Sequence, residues 1–518
     1  MKEDVVYFVQ GASAGVSAFV QEEADPQHRN ANFAAVGALV PLRYGRIGRG
    51  WVLVPELKEL ARDVVKSSGE QGTDALEAFW ERQKQDGDAG GPAPESPSAS
   101  KSDLPASLDR KRKRARSDVT GGLTSDQEVG SDHPALCMPE LLDTFGPLTF
   151  PLFRAALLRK RILLLGQPPV QQNCNFVYIL SVLANIPSSL REVIQPDLET
   201  AMRIQPLFSI GISDIAALSA ERKEGEGWLA CTTDDILRDK HQLYDLLVTM
   251  PGPNLNPAKH RWPVVTTSSG AVIKATQRDL RRYRLLRSEL NRIRLERERY
   301  RDHPPSNSSA QSDSIDDADD GEGVPLVPTT TILNEVRAGP NSTDDTAVVE
   351  PTSWTAMAYN GFLWWASAGE MEAWESAEVR ADRALLDDLP EIDVLMEAAS
   401  PTASRTSFSQ ASDADADAQH KAQHKARATA MVVTAYFHRL TAQVLNAMAE
   451  VVEAADDETE EGVADEGVGV AGEEVKAMGL DAWSEGDRVF VGEAMRLWFG
   501  REAVVESGGV RICGVRVC

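Results

Sequence analysis

Cysteine is scarce in this 518-residue chain: the five, Cys137, Cys174, Cys231, Cys513 and Cys518, are scattered, with no C-x-x-C spacing. That pattern supports neither a zinc site nor a disulfide framework and reads as free thiols in a reducing compartment. Cys518 ends the chain, but no cysteine stands fourth from the end, so a prenylation box is missing. Histidine is scarce too, at eight, mostly in polar stretches, and no H-E-x-x-H occurs. His420 and His424, four apart, have a spacing that a metal site could use. They sit in an Ala-, Asp- and Lys-rich run and read instead as a solvated helix start. Long apolar runs are also missing. The start, MKEDVVYFVQGASAGV, has no apolar core behind its lysine, so it reads as no signal peptide. The most apolar late patch, GFLWWASA from Gly361, falls far short of the about 20 residues that span a bilayer. A soluble, cytoplasmic protein is expected.

Net charge is −25, which argues against nucleic acid as the main partner, although a local basic patch could still bind phosphates. With 42% hydrophobic and 26% charged residues, the composition permits ordinary globular cores joined by disordered segments. The length allows two to four domains at roughly 150 residues each.

Three ordered blocks are expected. Residues 1–65 read as β-rich, with strands at Val5–Val9 and Val16–Val20 and a long apolar strand from Phe33 to Leu42. Pro55 then opens a helix with Leu57, Leu60, Ala61 and Val64 on one face. The chain starts almost inside its first strand, so that strand is either a sheet edge or has lost upstream sequence. Residues 84–133 read as a disordered Gly/Pro/Ser linker with a basic run at Arg110–Arg116. That run is a solvated charge run, a nuclear localisation signal or a phosphate-binding arm.

The second block, 137–300, alternates strands and helices, which implies a mostly parallel α/β sheet. ILLL is short and apolar throughout, as a central strand buried on both faces should be. Thr233 is a candidate N-cap, and Asp234 and Asp235 read as helix N-terminal charges. The block closes in a long helix, Thr276–Tyr300, with Leu280, Tyr283, Leu286, Leu290 and Ile293 on one face and many arginines on the rest. Those arginines mark either a solvated mixed-charge face or a surface toward an anionic membrane or a GTPase.

Residues 302–348 form a disordered acidic insert on this reading. The third block, 350–518, reads as mainly helical, with disordered acidic loops near 400–420 and 455–475. Helices are expected at Trp354–Met371, at Ala428–Val452 and from Ala482 through Phe499, with a final strand pair turned at Gly508 and Gly509.

The stretch from Leu157 to Val170, LLRKRILLLGQPPV, is the natural place to look for a phosphate loop. After the strand it offers one glycine, no lysine and two prolines that remove backbone donors, so direct nucleotide binding is rejected there. No catalytic, cofactor-binding or metal-ligating residue is singled out anywhere, and no cofactor is expected.

The segment FGPLTF from Phe145, followed by ALLRKRILLLGQPPV from Ala156, resembles the core of a DENN domain. Further segments resemble its LCHN-like branch and fungal relatives: SAFV from Ser17, VPLRYGRIGR from Val40, CTTDDIL from Cys231 and GLDAWSEGDRVFV from Gly479. Their common order covers all three blocks. The resemblance implies α/β plus α architecture, tripartite: a longin-like N-terminal α/β module, a central mostly parallel sheet module and a mainly helical C-terminal module. It also implies a guanine nucleotide exchange factor for a Rab-type GTPase in vesicle traffic, with peripheral membrane association as a further option. Related longin–DENN proteins act instead as GTPase-activating proteins with an arginine finger, and a non-catalytic scaffold is the third reading.

Overall fold

The computed structural model describes residues 2–23, 31–42, 50–66, 70–89, 132–195, 201–219, 225–252, 260–302, 345–351, 377–387, 413–459, 467–506, 510–512 and 515–517. Three strands with period-two burial open the chain: β1 (Lys2–Gln10), β2 (Ser13–Glu23) and β3 (Ala31–Pro41), paired antiparallel in sequence order. The β1–β2 turn has only two residues, and its first, Gly11, takes a φ of 61° that a side chain would resist. Val5, Tyr7, Val16, Ala18 and Val20 are buried on the inner face. Helix α1 (Val54–Lys66) packs Leu57, Leu60 and Ala61 on the meander, each leucine contributing about 1.5–3 kcal/mol. Helix α2 (Glu70–Ala89) follows α1 and reaches past residue 84, where a linker was expected.

The second block supplies α3 (Met138–Phe145), α4 (Thr149–Leu157), β4 (Ile162–Leu165), α5 (Val170–Leu183), β5 (Gln205–Ser209), a short α6 (Ile215–Leu218), β6 (Trp228–Thr232), β7 (Leu246–Thr249), β8 (Val264–Thr267) and β9 (Val272–Ile273). One nine-stranded mixed sheet holds all nine strands in the order β3-β2-β1-β5-β6-β4-β7-β8-β9. The ILLL strand lies between parallel β6 and β7 with all four residues buried, as its unbroken apolar run requires. The meander joins this sheet through β1 and β5 at the pair Phe8–Phe208. Phe208 lies at a register shift in β5, has a φ of 61°, and stacks its ring 6.0 Å from that of Tyr7.

Helix α7 (Gln277–Asp302) leaves the sheet. The C-terminal region is mainly helical: a helical segment over 377–384, the long α8 (Asp413–Thr459), a short α9 (Gly472–Ala477) and α10 (Glu485–Phe499). Val432, Tyr436, Leu440, Val444 and Met448, the four-residue stripe of α8, are all buried, and Phe437 packs 5.4 Å from Phe150 and 5.0 Å from Phe153 of α4.

Several expectations are corrected. Strand β1 is interior, paired on both sides, and β3 is the edge. Thr233 is no cap: the 3-10 turn Asp235–Asp239 has Asp234 at its N-cap position, and the amide of Asp234 donates to Thr232 Oγ1. The final strand pair is different. Strand β11 (Ala503–Val505) runs parallel to β10 (Val468–Val470), while β12 (Val510–Ile512) pairs with β13 (Val515–Val517). Helix α8 runs through the end of the first expected acidic loop and the start of the second, and 467–475 holds strand and helix. The basic run at Arg110–Arg116, the acidic stretch over 303–344, the Trp354–Met371 helix and the turn at Gly508–Gly509 lie outside the described residues.

Candidate functional site

In an open α/β sheet, phosphates bind where a strand's carboxyl end meets the next helix N-terminus. Here that place lies between β4 and α5, inside the LLRKRILLLGQPPV stretch. It is closed by the chain itself. Asp4 of β1 reaches over it: Oδ2 accepts from the Val170 amide at 2.7 Å and Oδ1 from the Gln171 amide at 3.0 Å. A carboxylate already takes the donors that a phosphate would need and repels a second anion. Pro169, at the N-cap position, brings no N–H. Replacing Asp4 with alanine is expected to cost about 1–2 kcal/mol in urea unfolding, as loss of an N-cap carboxylate does; a change below a few tenths would show that the cap carries no weight.

The basic triplet faces the opposite end of the strands. Arg159 ends α4 in the left-handed region, with φ 57°. Its guanidinium donates to Ala156 O of α4 at 2.7 Å, to Ala184 O just past α5 at 3.1 Å and to Ala201 O. It also stacks 5.1 Å from the Trp498 ring. Gly227 is a glycine because an added Cβ would sit 1.8 Å from Arg159 O. Lys160 pairs with Glu493 of α10 at 2.8 Å. Arg161 forks onto Asp245 (2.7 and 3.2 Å), and its amide donates to the same carboxylate at 2.8 Å. Burial raises the Asp245 pKa, but these bonds from Arg161 outweigh it and hold the carboxyl below its usual value. Together they wall a cavity of about 910 Å³ at the amino ends of β4 and β7. Lys240, His241, Glu226 and Arg496 add to its polar lining, with Leu218, Leu243 and Leu497 between them. Mixed charge on apolar walls suits a protein surface better than a small cofactor.

Behind this cavity lies a buried charge network that ties the central sheet to the C-terminal helices. Arg154 of α4 donates to both oxygens of Asp279 on α7 (2.8 and 2.7 Å) and pairs with Asp487 of α10 at 3.2 Å. One helical turn around α7, Arg278 and Arg282 share Oδ1 of Asp382 at 3.2 and 2.8 Å. Nη1 of Arg278 reaches the carbonyls of Lys476 and Leu480 (both 3.1 Å) and Nη1 of Arg282 that of Gly479 (2.7 Å), while Arg278 Nε and Arg282 Nη2 have no hydrogen-bond partner among the described residues. Arg154, Arg278 and Arg282 are therefore neither a solvated face nor available as arginine fingers. The apolar stripe of α7 is where the spacing put it, with Leu280, Tyr283, Leu286 and Ile293 buried.

A capping box and an N-cap seed this network. Thr276 and Asp279 exchange bonds at the start of α7 (3.0 and 3.1 Å), and Ser484 caps α10 by accepting from the Asp487 amide. Burial pushes Asp487 up to about 6, Arg154 pulling it down less than burial and the nearby Asp279 push it up. An acid whose pKa is raised in the fold takes up a proton on folding, so its contribution grows as pH falls through 6 toward the ordinary carboxylate value. Wild type is therefore expected to gain on the order of 1 kcal/mol on Asp487→Asn between pH 7 and pH 5 in urea unfolding; a pH-independent difference would contradict the assignment.

No G-x-S-x-G was expected, yet one occurs, as does a G-x-G-x-x-G, and the structure gives both a structural role. Gly11-Ala-Ser-Ala-Gly15 has the G-x-S-x-G spelling but forms a hairpin, not the strand-to-helix elbow that exposes a nucleophile. Gly467-Val-Gly-Val-Ala-Gly472 has the G-x-G-x-x-G spelling, but its helix has six residues and Glu474 already accepts from the Ala471 amide at 2.7 Å. Among the described residues, no group of three His, Cys, Asp or Glu gathers to hold a metal.

Comparison with known proteins agrees with this architecture. The chain is 29% identical over 287 residues to DENN domain-containing protein 11 of Danio rerio, covering 55% of this chain and 51% of that protein. It is 31% identical over 264 residues to the protein of that name in Xenopus laevis, covering 50% and 52%. A yeast relative, "Uncharacterized protein ANR2" of Saccharomyces cerevisiae, is 32% identical over 152 residues, 29% of this chain and 28% of that one. The chain thus spans about half the length of these two vertebrate relatives. A domain of unknown function (DUF4484) matches residues 349–467 and 459–518. No solved structure matches significantly. The family model for DENN domain-containing protein 11 matches residues 1–260, from β1 through the central parallel strands, and the chain belongs to that family.

Proposed function

We propose that the protein is a guanine nucleotide exchange factor for a Rab-type small GTPase. The observation that carries this reading is the family match over residues 1–260, which takes in both the meander and the parallel sheet. The closed helix terminus at Asp4 supports it: the phosphate position of this sheet is filled by its own side chain, so the nucleotide concerned belongs to the partner. Exchange requires no bond-making group in the factor. It requires tighter binding to the nucleotide-free GTPase than to the loaded one, and linkage makes the nucleotide bind more weakly by the same factor. A thousandfold weakening corresponds to about 4 kcal/mol of differential binding, which a protein interface of ordinary size can supply. On this reading the protein works in the cytoplasm, peripheral to the membrane that carries its GTPase. No helix among the described residues is long and apolar enough to cross a membrane.

Immobilised full-length chain is expected to retain EDTA-stripped Rab at least about tenfold better than GDP-loaded or GTP-loaded Rab, about 1.4 kcal/mol of preference. Preference for the GTP-loaded form would instead make the protein a scaffold or effector.

A further inference from the structure

We propose that the open face of the N-terminal meander is an interface with a second copy of this chain. One face of β1-β2-β3 packs on α1, but the other is open at β3. The register sets its rows: Val6, Ser17 and Gly37 align across the strands, flanked on one side by Phe8, Gly15 and Leu39 and on the other by Phe19 and Ala35. Phe33 stacks on Phe19, with centroids 5.9 Å apart. Phe8 lies over Gly15, where a Cβ would meet its ring at 2.2 Å. The result is two bulky ridges, Phe19–Phe33 and Phe8–Leu39, separated by a trough of small residues. Phe33 is 62% and Leu39 58% exposed, while Ala35 and Gly37 between them are exposed too. A contiguous apolar face of this kind on a folded chain marks a contact surface.

Three features select a second copy as the occupant. Ridge and trough are self-complementary: a copy turned over and displaced by one row, about 7 Å, sets each ridge into the other's trough. Three strands of about ten residues cover roughly 500 Å² per copy, so a pair buries about 1,000 Å², the threshold for a specific interface. The charge pattern agrees. From Ser13 to Gln21 of β2 and from Phe33 to Pro41 of β3, no side chain on this face is charged, and Asp4 at its margin is already held by α5. Two chains of net charge −25 can therefore meet here without setting acid against acid. Their remaining repulsion is screened beyond about 8 Å at physiological salt, so pairing should strengthen as salt rises.

The test is the mass of the full-length chain by analytical ultracentrifugation, from about 1 to about 100 µM, a range that resolves micromolar dissociation. The expected result is a shift toward twice the monomer mass, stronger at higher salt. Leu39→Glu and Phe33→Glu should each weaken pairing about a hundredfold, while Val489→Glu, at an exposed apolar position on α10, should leave it unchanged. Amides 33–41 of the wild type should also gain hydrogen-exchange protection as concentration rises, a readout that needs no variant. A monomer at every concentration, or a dimer that keeps its affinity in Leu39→Glu, overturns the proposal. So does a monomer whose binding to Rab or to phosphatidylserine vesicles is lost in Leu39→Glu, which gives the face another occupant. None of these masses depends on exchange activity.

Discussion

Asp382→Ala is expected to destabilise the protein by about 3–5 kcal/mol, the cost of removing one partner from a buried ion pair. Asp382 is the carboxylate to which both Arg278 and Arg282 turn, and the side chains of all three are 4% exposed or less. Without it, two guanidiniums remain in the interior with no carboxylate bonded to them, only carbonyls and the more distant Glu378 and Asp279. Those carbonyls, at Lys476, Gly479 and Leu480, belong to the segment leading into α10. The damage should therefore spread to the packing of the last helix. Thermal unfolding should fall by roughly 10 °C, given about 2–4 °C per kcal/mol for a domain of this size. The matched control replaces the whole set, Arg278→Met with Arg282→Leu and Asp382→Leu, and should recover most of the loss, since an apolar cluster needs no compensation. A loss below about 1 kcal/mol for Asp382→Ala would mean that water reaches this site.

Phe437→Ala should cost a similar amount, about 3–5 kcal/mol, by leaving a cavity. Phe437 is fully buried on α8 against Phe150 and Phe153 of α4, and Tyr436 beside it packs edge-on against Phe150 at 6.4 Å. This aromatic cluster and the Arg154 network hold the same helix, α4, through neighbouring positions, since Phe150 and Arg154 are four residues apart. Phe437→Leu should recover more than half of the loss, because it refills most of the volume. Urea unfolding of the three proteins measures both. If alanine costs no more than leucine, the cluster is not packed as described.

How far the fold was legible depends on how local its cause is. The ILLL strand announced its central position because burial on both faces demands apolar residues at every position. The stripes of α7 and α8 were legible for the same reason: helical spacing records which face is covered. The arginines of α7 were not. Arg278 and Arg282 lie among other arginines, and what separates them from Arg292 is Asp382, about a hundred residues away in sequence. No local pattern encodes that distance. The capping box Thr276-x-x-Asp279 was a local signal and could have been read, although Arg154 as the second partner of Asp279 could not. Likewise the two prolines of GQPPV point away from a phosphate loop, but the group that fills the helix terminus, Asp4, comes from the first strand of the chain, 166 residues away.

The LLRKRI segment shows the same division. Its apolar half reports burial. Its basic half reports only that charge is present, and the structure assigns each residue differently: Arg159 to the carbonyls that close its own helix, Lys160 to α10, Arg161 to the base of β7. The cavity these residues wall lies at the amino ends of β4 and β7, away from the strand ends where nucleotides bind.

Release of fluorescent GDP from a panel of Rab GTPases, with catalytic amounts of the full-length chain, tests the central claim most directly. The exchange reading predicts release from one Rab or a small group accelerated at least about a hundredfold over the spontaneous rate, which requires about 2.7 kcal/mol of transition-state stabilisation. Release at the spontaneous rate from every Rab tested, with GTP-loaded Rab bound tightly, would contradict it.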